Sequence, residues 1–288
     1  MSQPDKTFTL INGKRGSDTN AGIPWRNRGF QFGDGVFETM RVAQGKIPLL
    51  ALHLERLWIG CDRLGLALHP DFPHWLEAFQ VNLAETDSGV ARIYIFRTDA
   101  GPGNYIQGHT DSHCALHFES TPDISANTWL QDSVELRSAS TRLTRNKNLA
   151  GIKHLSRIEY CLALKDFIRT ENTCEALLFD TEGCVIETPH HNIFAVRGSS
   201  LITPSLENVG VKGVMRTLIS QLIQQLPELS WVETKLFYDD LLACTEVFLT
   251  NALKGVVPVS KCNDQCWPEA SSVAFKIAHL IAEFTKDR

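Results

Sequence analysis

The sequence predicts an α+β fold in two lobes whose sheets mix strand directions. Three observations carry this. Strand-like runs cluster without intervening helices, which disfavours a doubly wound parallel sheet. Helical periodicity is confined to a few separated runs. A polar segment with a proline, residues 119–127, interrupts the pattern and places a boundary near residues 120–126. The expected domains are therefore a small N-terminal one over 1–122 and a larger C-terminal one over 123–288, which suits the length of 288 residues.

Each element follows in order. Phe8–Ile11 reads as a short strand that turns at Asn12-Gly13, and turn formers fill Ser17–Gly22. Gly29, Gly33 and Gly35 punctuate an aromatic loop that leads into an alternating strand, Val36–Val42. Gln44-Gly45 turns the chain back. Leu54, Leu57, Trp58, Cys61 and Leu64 mark one face of a helix over about 51–65, and a second helix starts near Pro73. Gly89–Asp99 and Cys114–Ser120 are strands, joined through a glycine-containing loop at 101–108. Beyond the boundary, Val134–Ser140 is a strand. A helix is expected from the Lys153 region to about Arg169, with Leu155, Ile158, Leu162 and Phe167 as its apolar side. Short strands at 175–180, 183–188, 192–197 and 200–204 precede a helix beginning at Gly213. Strands at 231–237 and 246–252 and a terminal amphipathic helix over 271–284 complete the chain.

Composition narrows the class. Apolar residues make up 43 %, charged residues 21 %, and the net charge is −5. A soluble globular protein fits these values. The absence of a basic block argues against a nucleic-acid surface, and no apolar run approaches the ~20 residues of a membrane helix. The first residues lack a charged-then-apolar export pattern, so a cytoplasmic protein is expected. The eight cysteines are scattered and read as reduced, mostly buried side chains; Cys262 and Cys266 lack the partners of a zinc site.

Four features could serve one phosphorylated, aldehyde-bearing ring. Lys153 follows Gly151-Ile152 at the mouth of the expected helix, where apolar neighbours disfavour an ammonium and favour an amine able to form a Schiff base; as a lone lysine it is equally a solvated side chain. Glu187 ends a strand, where a carboxylate could keep a pyridine nitrogen protonated, or simply face water. Gly213 opens a helix whose free N–H groups suit a phosphate, with Thr250-Asn251-Ala252 able to add further donors. Arg56 lies on the polar side of its helix, either as a phosphate contact or paired with a neighbour such as Glu55. His190 and His191, read as strand neighbours, point to opposite faces and do not share a metal.

These segments together resemble the fold-type IV family of pyridoxal-phosphate enzymes, the class IV aminotransferases. Residues 28–42, RGFQFGDGVFETMRV, are similar to its N-terminal signature, and residues 183–194, GCVIETPHHNIF, to its glutamate–asparagine signature. The resemblance runs from about Thr7 to Val259. Within the family, Gly151–Glu159, Val211–Arg216 and Leu249–Leu253 are most similar to the lyases that act on aminodeoxychorismate. The resemblance implies a smaller N-terminal α/β sandwich, a larger C-terminal mixed-sheet pseudo-barrel, and pyridoxal 5'-phosphate between them. It implies that Lys153 carries the cofactor, that Glu187 faces the ring nitrogen with Asn192 beside it, and that Arg56 holds the phosphate with N–H groups at Gly213, Val214, Met215 and Ala252. Asn251, Phe37 and Arg97 would meet the substrate, Arg97 through a carboxylate. A homodimer acting on a small amino-acid-like molecule follows. The implied reaction splits 4-amino-4-deoxychorismate into 4-aminobenzoate and pyruvate, a folate precursor step; the alternative is transamination of branched-chain or D-amino acids. Three departures bear on the choice; in the first, Lys153-His154-Leu155-Ser156-Arg157 lacks the tyrosine that branched-chain transaminases carry shortly after the lysine. Gly101-Pro102-Gly103-Asn104-Tyr105 lacks an arginine usual in the lyases, and Phe37 replaces a tyrosine usual in the D-amino acid transaminases.

Overall fold

Alternating apolar residues build the first sheet. The computed structural model describes residues 6–16, 22–23, 25–98, 111–121, 128–167, 174–267 and 272–286. Most of the expected 17–22 loop, the Gly101–Tyr105 stretch and residues 122–127 of the expected boundary lie outside these. The chain divides into two units, Met1–Asn127 with Ile152–Ser156, and Thr128–Gly151 with Arg157–Asp287.

In the first unit, β1 (Thr7–Ile11), β2 (Lys14–Gly16), β3 (Gly35–Val42), β4 (Gly89–Arg97) and β5 (Ser112–Ser120) form an antiparallel sheet in the order β2-β1-β5-β4-β3. One face meets α2 (Leu50–Leu64) and α3 (Phe72–Val81) through Val36, Met40, Ile93, Ile95, Leu57, Cys61, Leu76 and Phe79. The expected helical face of α2 is correct at Leu57 and Cys61, but Trp58 is half exposed and His53 is buried in its stead. The aromatic loop is partly helical. Asn27 caps α1 (Arg28–Phe32) by accepting Phe30 N–H at 2.7 Å, and Gly33 ends it at φ 67°. Those are ordinary start and stop residues for a helix.

The second unit is built on a nine-stranded sheet. Its strands are β6 (Val134–Leu143), β7 (Cys174–Asp180), β8 (Val185–Glu187), β9 (Asn192–Arg197), β10 (Ser200–Pro204), β11 (Ser230–Thr234), β12 (Glu246–Asn251), β13 (Gly255–Cys262) and β14 (Gln265–Cys266). Pairing runs β9-β12-β13-β6-β7-β8 and returns from β8 to β9, closing those strands into a ring; β10 and β11 extend it beside β9. The return rests on one pair, Glu187 opposite Asn192. Strand β13, which carries Pro258 and was not anticipated, sits between β12 and β6; a proline inside a strand run argues against a central strand. The helices are α4 (Ile158–Leu164), α5 (Val214–Leu222), α6 (Tyr238–Leu242) and α7 (Ser272–Thr285).

The Lys153 region corrects the sequence reading. Helix α4 begins at Ile158, and residues 152–157 are non-helical, with His154 bridged to Val36. Ile158 and Leu162, expected on the buried side, are exposed. His190 and His191 lie on the bend between β8 and β9, and both approach Glu175, at 3.8 and 3.6 Å. The eight cysteines are free, with Cys161 and Cys266 exposed. Among the described residues no cluster has the makings of a metal site, and no helix is long and apolar enough to cross a membrane.

Helix α7 receives an external cap. Glu246, buried at the start of β12, accepts Val273 N–H at 3.1 Å and Ala274 N–H at 2.7 Å. Glu246→Ala strands these buried donors, so urea unfolding of the variant should show a loss of about 1–3 kcal/mol.

Candidate functional site

In the first unit, Lys153 rides on the edge of β3. Phe37 N–H donates to Lys153 C=O at 2.9 Å, Leu155 N–H donates to Gly35 C=O at 2.9 Å, and Val36 bridges His154. Extended backbone alternates its side chains. Ile152 is therefore buried on one side while Lys153 projects from the other, its Nζ 4.3 Å from the centre of the Phe37 ring. Phe37 in turn stacks on Tyr94, with ring centres 6.0 Å apart.

Beneath β3 lies a buried ion cluster. Glu38 falls in the alternation Val36, Glu38, Met40, which faces α2. Its carboxylate accepts Arg56 Nε at 2.7 Å and Arg56 Nη2 at 2.5 Å, and lies 2.6 Å from His53 Nδ1. His53 and Arg56, three residues apart, share a helix face. The carboxylate only accepts, so the neutral His53 ring donates Nδ1–H. Burial raises the Glu38 carboxyl, but the charge and bonds of Arg56 and the bond from His53 outweigh it and hold it at about 2. Burial holds His53 below its ordinary 6.5, against the pull of Glu38. Arg56 thus pairs with Glu38 rather than with Glu55.

Arg97, expected at a substrate carboxylate, is held within the first unit. It is 1 % exposed; its Nε donates to Asp34 at 2.9 Å, and its Nη1 and Nη2 donate to the carbonyls of Gly65 and Leu64 at 3.0 and 2.6 Å. The guanidinium ties down the end of α2, where helix carbonyls lack partners.

In the second unit, Glu187 is buried and held from three sides. Tyr160 Oη donates to its Oε1 at 2.7 Å, Asn192 Nδ2 to its Oε2 at 3.1 Å, and Val211 N–H to both oxygens at 3.2 and 3.1 Å. Asn192 also donates to Val211 C=O at 2.8 Å and accepts Gly213 N–H at 3.0 Å through Oδ1. One amide therefore links Glu187 to the start of α5. Gly213 is required there, because a Cβ would lie 2.0 Å from Asn192 Oδ1. Tyr160 is a site residue to which sequence reasoning gave no role.

Gly213 is the N-cap of α5, without a side-chain cap, so the N–H groups of Val214 and Met215 have no partner within the helix. Asn192 pairs with Thr250 across β9 and β12, which puts both side chains on one face. Thr250 Oγ1 is buried with no hydrogen-bond partner. A buried orphan hydroxyl costs free energy unless something accepts from it. Helix-start donors and this hydroxyl fit a phosphate ester, and a fixed buried carboxylate fits a cationic ring nitrogen. Asn251 Oδ1 accepts Leu253 and Lys254 N–H at 3.0 and 2.7 Å, shaping the turn that carries Ala252.

Comparison with known proteins follows the same lines. The profile of the family described as Amino-transferase class IV matches residues 35–262. The chain is 32 % identical over 243 residues to an aminodeoxychorismate lyase of Vibrio harveyi, covering 83 % of this chain and 86 % of that one. It is 25 % identical over 264 residues to a D-alanine aminotransferase of Bacillus licheniformis, covering 89 % and 88 %. Its fold matches the crystal structure of 4-amino-4-deoxychorismate lyase from Pseudomonas aeruginosa with a TM-score of 0.85 and 29 % identity, over 96 % and 98 % of the two chains.

Two outcomes follow from this geometry. Gly213→Ala must displace Asn192 and loosen Glu187, so pyridoxal phosphate titrated by absorbance should bind at least about tenfold more weakly than to the parent protein. Glu38 and His53 both have lowered folded values, so their stabilisation is complete at neutral pH. It is lost as pH falls, for His53 below 6.5 and for Glu38 between 4.5 and about 2. In Glu38→Gln the lower stage should vanish from stability measured against pH.

Proposed function

The chain belongs to the class IV aminotransferase family and is a pyridoxal-phosphate-dependent enzyme, and from that premise we propose that it splits 4-amino-4-deoxychorismate into 4-aminobenzoate and pyruvate. The observation that carries this reading is the likeness to the Vibrio harveyi lyase across most of both chains. Bound pyridoxal phosphate supplies an aldehyde for the substrate amine and a ring that withdraws electrons.

The chain's own groups do the rest. From the first unit, Lys153 would hold the cofactor through Nζ, and its amine would take the proton from the substrate carbon that bears the amino group. Phe37 gives the Lys153 amine an apolar wall, its ring centre 4.3 Å from Nζ. Arg56, oriented by Glu38, contributes its charge to the phosphate. From the second unit, Glu187 keeps a proton on the ring nitrogen. The N–H groups of Val214, Met215 and Ala252 and the Thr250 hydroxyl hold the phosphate. Asn192 and Gly213 set the carboxylate and the helix start in fixed relation, and Asn251 holds the turn beside them. The reading includes a homodimer, supported by exposed apolar side chains such as Trp25, Phe30 and Ile158.

A transaminase is the second reading, supported by the match to the Bacillus licheniformis enzyme; the same Lys153 and Glu187 would serve it. The cofactor-loaded protein, mixed with aminodeoxychorismate, should release 4-aminobenzoate and pyruvate in equal amounts. Lys153→Ala should lower that rate by about 10²–10⁴-fold. Keto-acid turnover from L- or D-amino acids and 2-oxoglutarate, with no 4-aminobenzoate, would assign the transaminase instead.

A further inference from the structure

Tyr160 sits two residues into α4 and reaches Glu187 across 27 positions of sequence. Its ring packs against the apolar cluster of Ala139, Leu143, Ala163, Leu178 and Ile186, and the Arg157 guanidinium lies 4.7 Å from the ring centre. The side chain is therefore held by packing, whatever its hydroxyl does. The hydroxyl meets the buried Glu187 carboxylate at 2.7 Å. Burial, and then the charge of Glu187, push the phenol well above its ordinary range, so it remains a hydrogen donor. With Val211 N–H it occupies Oε1, while the Asn192 amide approaches Oε2.

We propose that Tyr160 is a positioning residue that tunes Glu187: by donating to Oε1 it fixes the carboxylate and weakens it as a base, so that the proton shared with the cofactor ring stays on the nitrogen. This rests on the reading that Glu187 faces that nitrogen. A donor to a carboxylate stabilises its charged form. Withdrawing the donor makes the carboxylate more basic, and the proton moves from nitrogen toward oxygen. The ring then withdraws electrons less well, and the proton-transfer step at the substrate carbon slows.

The protein is loaded with pyridoxal phosphate carrying ¹⁵N in the ring, and the nitrogen chemical shift is read without substrate. The parent protein should give a pyridinium-like signal and Glu187→Gln a pyridine-like one. Tyr160→Phe, which keeps the packed ring, should give a signal displaced from the parent toward the Glu187→Gln position. Its kcat should fall about tenfold, the size expected for a bond to a charged group, with KM changed less than about twofold. A fluorinated, more acidic tyrosine placed at 160 strengthens the bond and should leave the signal at or beyond the parent's pyridinium end. If Glu187→Gln moves the signal but Tyr160→Phe coincides with the parent, Tyr160 only packs and the proposal is overturned. If Glu187→Gln itself leaves the signal in place, the reading of Glu187 fails instead.

Discussion

The second unit depends on how one buried carboxylate is satisfied. Glu187 stands on the single residue pair that returns β8 to β9, and its oxygens are met by a phenol, an amide and a backbone N–H. A carboxylate withdrawn from water without such donors would cost several kcal/mol, on the order given for buried ions. The donors come from α4, from β9 and from the segment before α5, so one charge ties three separate parts of the chain together. Asn192 extends the same linkage to Gly213, where the absence of a side chain lets the amide oxygen reach the helix start. The barrel seam and the candidate ring-nitrogen contact are thus one piece of structure.

The first unit solves a similar problem differently. Glu38 takes a place in its strand that a Val or Leu would ordinarily fill, and its charge is met by Arg56 and His53 on the facing helix. Such a cluster is a poor source of net stability compared with apolar packing. What it provides is orientation: the Arg56 guanidinium is gripped through two nitrogens and cannot swing freely.

Much of this was legible in the sequence, for a physical reason. Alternation in Val36–Val42 and the 3.6-residue period of Leu57 and Cys61 reflect burial on one side, and burial is what periodicity measures. Glu187, Asn192 and Gly213 were legible as motif residues, although their mutual hydrogen bonds were not. Tyr160 escaped because its partner is 27 residues away and no local pattern encodes that distance. Leu155, Ile158 and Leu162 mimic a helical face and so suggest a helix start at Lys153, whereas the real determinant is pairing with β3, a long-range contact. The bonds of Arg97 to the carbonyls of Leu64 and Gly65 are long-range in sequence, and no local pattern encodes them.

The excursion of Ile152–Ser156 carries a consequence for any attempt to take the molecule apart. These residues belong with the first unit, while the chain on both sides of them belongs with the second. A fragment ending at Asn127 would leave the outer N–H and C=O groups of β3 bare, and a bare strand edge recruits other chains. The first unit, cut at its apparent border, should therefore tend toward self-association, and a soluble version would have to carry a grafted copy of the five-residue strip.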